Sequence, residues 1–291
     1  MKTRLWIGGV VAMVAVSAMA QVEVRTQFRQ KQYLSCAPLS FDVVITNNLA
    51  RPITLENSET QPWLAIEVMD TKGHPIAARV KAPQFKNLTI PAGETLGRRI
   101  DVQPIYYVQR SGRYKIQAAV ILEGRRYTSG RTEVEVGNGR SAWKRTIALM
   151  PEPAETKPTK KDTVAAAAPP KDILRTLQLL RFSDENGQQL YYKMSDDQLE
   201  ITYRCYTLGP TVASVEPQTL LQPTGELYVL HQASPENYFF TVIDSDGVPQ
   251  LAENYTAVQS RPRLARDTFG NVVVIGGEKV IQDEASPAAS K

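Results

Sequence analysis

Histidine and cysteine are almost missing from this chain, with two of each in 291 residues. So few ligands and bases leave little room for a metal centre or a histidine-based catalytic triad. His231 ends an apolar run, and no serine or cysteine motif accompanies it. His74 sits between Gly73 and Pro75 in a turn. Gly-x-Ser-x-Gly, phosphate-loop and dinucleotide fingerprints are all missing. Asp244-Ser245-Asp246-Gly247 opens like a calcium loop but has no closing carboxylate at the required distance, and reads as a hairpin turn. Asp196 and Asp197 are neighbours, and nothing in the sequence sets them across a cleft as an acid/base pair. We expect a non-enzymatic protein with no cofactor and no metal.

Long apolar runs are also lacking after residue 20. Before it, Lys2 and Arg4 precede an apolar stretch from Leu5 to Val16, and Ala18-Met19-Ala20 offers small side chains to a signal peptidase. Those 12 residues are too few to cross a bilayer, which takes about 20 as a helix. The pattern predicts a signal peptide over 1–20 and a periplasmic or extracellular product with no membrane span after cleavage.

What is present divides the chain in two. Residues 151–171 hold five prolines, four lysines and an alanine run, the composition of a linker. Residues 21–150 carry 19 Lys+Arg against 11 Asp+Glu, a net +8, while residues 172–291 carry 9 against 16, a net −7. A basic half and an acidic half attract one another, or the basic half meets an acidic partner, or each is simply solvated. The last residues, 284–291, read as a disordered tail. Cys36 and Cys205 lie 169 residues apart. They form either a disulfide, which an exporting route permits, or two separate buried thiols. Alternation places Cys205 on the face of Ile201 and Tyr203. Neither cysteine lies in a Cys-x-x-Cys pair.

Residues 21–150 contain short alternating segments bounded by turns: 39–47, 63–70, 88–90, 114–120 and 127–136. No window keeps a helical apolar period for three turns, so about seven strands in a two-sheet sandwich are expected. Ser111-Gly112-Arg113-Tyr114-Lys115-Ile116 resembles the Gly-x-Tyr-x-Cys corner of immunoglobulin-like domains, with Ile116 in the cysteine's place. Phe41 to Asn47, followed by Pro91-Ala92-Gly93-Glu94, resembles bacterial immunoglobulin-like modules, including the BsuPI-type proteinase-inhibitor domain. That resemblance spans most of residues 36–136 and implies a β-sandwich. It carries no inhibitory residue across.

Residues 172–283 are expected to form a second, smaller all-β meander or sandwich domain. Pro217 to His231 aligns with Pro262 to Gly276 at an offset of 45, each unit running from a turn that ends in glycine into an apolar strand. Asn186 to Lys193 reads as a degenerate third copy. The spacing resembles β-propeller blades, although only about two and a half units fit where rings take about 4–8.

These features point to a binding or scaffold protein of the bacterial cell envelope, contacting an envelope protein or polysaccharide through strand edges or loops. A glycan-binding module is the alternative. Its candidate residues are Trp63, Tyr106 and Tyr107, with Arg110 and Arg113 beside them: aromatic faces to stack on a sugar and guanidinium groups to hold its hydroxyls. Adjacent strand residues point to opposite faces, so one of the two tyrosines should be the more exposed. Nucleic acid is a poor partner, for want of a groove-reading helix and because of the expected compartment.

Overall fold

The computed structural model describes residues 21–59, 61–80, 83–108, 110–149 and 173–280. The expected signal peptide, the stretch 151–171 and the tail 284–291 fall outside the described residues. The protein is all-β, with no helix among the described residues.

The first ten strands are β1 (Val22–Phe28), β2 (Gln32–Leu34), β3 (Ser40–Asn47), β4 (Ile53–Leu55), β5 (Leu64–Asp70), β6 (Leu88–Ile90), β7 (Thr95–Asp101), β8 (Gly112–Leu122), β9 (Arg125–Thr128) and β10 (Thr132–Gly137). Sheet I runs β1-β3-β7. Sheet II runs β2-β10-β8-β5, with β9 added to β8. All pairs within these sheets are antiparallel except β2 with β10. The period-2 pattern decides which side chains go in. Along β3, Phe41, Val43 and Ile45 are buried while Asp42, Val44 and Thr46 turn outward. Both sheets contribute to one core, in which Val43 and Ile45 meet Ile66, Val68, Ile116 and Val134. Asn47 is fully buried at the end of β3. Its amide nitrogen donates to the carbonyls of Arg51, Ile90 and Pro91, and its amide oxygen accepts from the Leu49 N–H. Burial of that amide is therefore compensated.

The remaining strands are β11 (Arg140–Leu149), β12 (Ile173–Asp184), β13 (Gly187–Asp196), β14 (Ile201–Pro210), β15 (Gln218–Leu221), β16 (Leu227–Gln232), β17 (Asn237–Ile243), β18 (Pro249–Thr256), β19 (Arg263–Arg266), β20 (Val272–Ile275) and β21 (Glu278–Val280). Sheet III is β11-β12-β13-β14, sheet IV is β15-β16-β17-β18-β21 and sheet V is β19-β20. The boundary expected at residue 150 is thereby moved. β11 pairs antiparallel with β12, so it belongs to the second unit, and residues 151–171 lie between two strands of one hairpin rather than between domains. Composition could not say that the strands on either side of the stretch are partners. Arg140, Lys144 and Arg145 pass to the acidic half with β11, which narrows the charge contrast.

The three sheets of the second unit stack face to face, and alternation explains how. In sheet IV, Leu227, Val229 and Ile243 point toward Leu177, Leu179, Tyr192 and Met194 of sheet III. The residues between them, Leu230 and Phe240, point the other way and pack with Leu264 and Val274 of sheet V. Sheet III also uses both faces, since Leu180 and Tyr191 pack on Leu34 and Ala37 of the first unit. The sequence repeat is visible here. β15 and β16 correspond to β19 and β20 at the offset of 45, and the turns 222–225 and 267–270 both close with a glycine at positive φ (92° and 85°). Asp267 accepts from the N–H groups of Phe269 and Asn271, and Asp244 accepts from those of Asp246 and Val248. Asp244 to Gly247 is thus a hairpin turn, as its sequence suggested.

Candidate functional site

Trp63 is 1% exposed, and its indole N–H donates to the Lys86 carbonyl at 3.3 Å. Phe85 meets its ring edge-on and Arg98 lies over it at 5.8 Å. It is a core residue. Tyr106 is half-buried, and its hydroxyl donates to the Ile66 carbonyl. Tyr107 is 55% exposed, so the two tyrosines do point apart, but the Arg79 guanidinium occupies its face at 4.6 Å. Arg110 and Arg113 are exposed. The Arg110 carbonyl accepts from the Tyr114 hydroxyl at 2.7 Å, and Arg113 pairs with Glu133 at 3.7 Å. The structure therefore sends Trp63 and Tyr106 inward and leaves Tyr107 as the exposed aromatic of the three. A glycan platform built on coplanar exposed rings is not what these residues form.

The two cysteines are joined, with Cα atoms 5.7 Å apart. Tyr203 and Cys205 lie on opposite faces of β14, contrary to the alternation expected from sequence. Tyr203 packs toward sheet IV and Cys205 toward the first unit. The reason is a register shift opposite Met194 and Ser195, where β14 carries an extra residue. Gln103 braces the other half of the bridge, donating from its side-chain amide to the carbonyls of Ser35 and Ala37 on either side of Cys36. Beside the bridge a cleft of about 730 Å³ separates the two units, lined by Arg79, Asp101 and Gln103 on one side and by Lys193, Asp197 and Arg204 on the other.

The carboxylates here are engaged structurally. Asp197 accepts from Lys144 Nζ at 2.8 Å, Ser195 at 2.9 Å and Thr176 at 3.2 Å, and the Lys144 hydrogen bond leads in holding its pKa low. Asp196 accepts from the N–H groups of Gln198 and Leu199 and shapes the β13–β14 turn. Burial raises the pKa of Asp101, opposed by the N–H of Gln103. His231 lies between sheets III and IV at 1% exposure, edge-on to Phe239, with burial pulling its pKa from 6.5 down to about 4. It is neutral at physiological pH and far from solvent. Among the described residues no cluster of three or more histidine, cysteine or acidic side chains is arranged to hold a metal ion.

Sequence reading missed two features. Arg181, 6% exposed, pairs with Glu216 at 3.0 Å and donates to the Val215 carbonyl, pinning the β14–β15 connection to sheet III. No local pattern foretells that pairing. The second is the far edge of β20. Its residues Val272, Val273, Val274 and Ile275 pair with β19 on one side, and no described strand pairs with the other. Several other edges are blunted. β7 carries Gly97, Arg98 and Arg99; β11 carries Lys144, Arg145 and a register shift; β21 carries Glu278 and Lys279. β20 has no charge, no proline and no bulge. At the tip of its hairpin, Phe269 is 89% exposed.

No protein-family model matches the chain, and no curated protein matches it. Among the solved structures that align in part is the Pseudomonas fluorescens alkylpurine DNA glycosylase AlkC bound to DNA containing an abasic site analog. The match is 18% identical over 41% of this chain and 31% of that one, with a TM-score of 0.27. A likeness that slight carries no argument about fold or activity.

Proposed function

We propose that this chain is an exported, non-enzymatic binding or scaffold protein of the bacterial cell envelope, and that it engages its partner by taking up a strand at the open edge of β20. The observation that carries the reading is that edge: four β-branched residues in a row with unpaired backbone groups on one side. Strand addition gives affinity through main-chain hydrogen bonds and needs no catalytic set. In this reading the first unit is an immunoglobulin-like module. The two sheets over one core support that assignment, as does the Tyr114 hydroxyl bonding back to the Arg110 carbonyl, the arrangement of a tyrosine corner.

The test places a photo-reactive amino acid at Phe269, beside the edge, in cells carrying the tagged full-length chain. Irradiation is expected to yield one adduct, of a defined mass, that disappears when Val273 and Ile275 are both changed to lysine. An adduct that survives those changes, or none at all, overturns the reading. N-terminal sequencing of the same sample is expected to begin at Gln21.

A further inference from the structure

Sheet V is the outlier of the stack. Sheets III and IV have four and five strands, whereas sheet V has two. A two-stranded sheet is marginal by itself. The internal repeat says what is missing. In sheet IV, β16 is flanked by β15 on one side and on the other by β17, an antiparallel strand rich in aromatic and β-branched residues. β20 corresponds to β16, and the place of β17 beside it is open among the described residues.

We infer that this place is taken by β20 of a second copy of the chain, antiparallel to the first, so that two sheets V merge into one four-stranded sheet β19-β20-β20-β19. The inference rests on the proposal that the β20 edge takes up a strand, and it names that strand. Three features favour a second copy. The edge is self-complementary, because an uncharged β-branched strand offers its equal the side chains that β-strands prefer opposite them. A two-fold axis perpendicular to the sheet makes the contact isologous, so it closes at two copies, and the outer strand on each side is β19, which carries Arg263 and Arg266. The contact also continues an existing interface. Leu264 and Val274 already seat sheet V on Leu230 and Phe240 of sheet IV, and the two-fold axis keeps the corresponding faces of both copies on the same side. Val273 and Ile275 then meet across the axis on the opposite face, which is only partly buried within one copy.

Sedimentation velocity of the chain beginning at Gln21 tests this. The wild type is expected to be a dimer that dissociates on dilution. Val273→Lys with Ile275→Lys puts like charges opposite one another and should weaken dimerisation about tenfold or more. Val273→Glu with Ile275→Glu should do the same. Mixing the lysine and glutamate variants should restore a dimer holding one copy of each. Val272 and Val274 stay intact, so circular dichroism should report an unchanged fold. A wild type that stays monomeric at all concentrations overturns the inference, as does a dimer that persists in both variants or a mixture that does not pair. Protection of the Val272 and Val274 amides, which face the open side, that is independent of concentration overturns it too, since residues 281–291 of the same chain would then hold the edge. A monomer whose Phe269 probe still yields the adduct sensitive to the lysine changes ends this inference and leaves strand uptake standing.

Discussion

Trp143 stands opposite Leu179 across the β11–β12 ladder, and that pairing sets the boundary between the two units ahead of Arg140. The proline-rich stretch 151–171 joins two strands that pair with each other. Replacing 151–171 with a short turn is therefore expected to preserve the fold. Closing a shorter loop costs less chain entropy, so stability should rise by about 1–2 kcal/mol. Urea melts of the two chains check this. A protease cut within the stretch should leave both pieces together in gel filtration, held by the ladder and the disulfide.

The Cys36–Cys205 bridge closes a loop of 169 residues. Changing both cysteines to serine removes that constraint on the unfolded chain and is expected to cost about 3–5 kcal/mol. Denaturant melts of the wild type with and without a thiol reductant should differ by a similar amount, and the serine variant should be indifferent to reductant.

Trp63 and Tyr107 were equal candidates in sequence and are opposites in structure. Trp63→Ala empties a core site and should destabilise by about 3–5 kcal/mol. Tyr107→Ala removes an exposed ring and should stay within about 0.5 kcal/mol. Thermal melts followed by circular dichroism separate the two.

His231 gives the fold a weakness in acid. Its pKa in the folded chain is about 4, below the ordinary 6.5, so between these values the unfolded chain takes up a proton that the folded chain refuses. Stability therefore falls as pH drops from about 6.5 toward 4, by up to about 3 kcal/mol from this group. His231→Phe removes that contribution. The gap between wild type and variant should widen in the variant's favour between pH 7 and pH 4, as read from urea melts at each pH.

Strand positions were legible wherever burial is one-sided, as in β3 and β8, because a period of two is written directly into the residues. The 45-residue repeat was legible for the same reason, down to Gly225 and Gly270 in matching turns. Pairing was not. Nothing in Arg140 to Leu149 or in Ile173 to Asp184 names the other as its partner, since strand partnership is a non-local choice made by packing. The face of Cys205 was misread because one extra residue in β14 reverses the alternation beyond it. The open edge of β20 escaped notice because an unpaired strand and a paired one have the same sequence signature.

The disulfide also bears on the order in which the molecule is made. Synthesis delivers Cys36 first, and its partner follows only after 168 further residues. No third cysteine exists, so within one chain the bond has a single possible partner and mispairing can occur only between molecules. Once formed, the bond ties β14 of sheet III to the β2–β3 loop of the first unit, so the two halves stay on one tether even when their packing is undone.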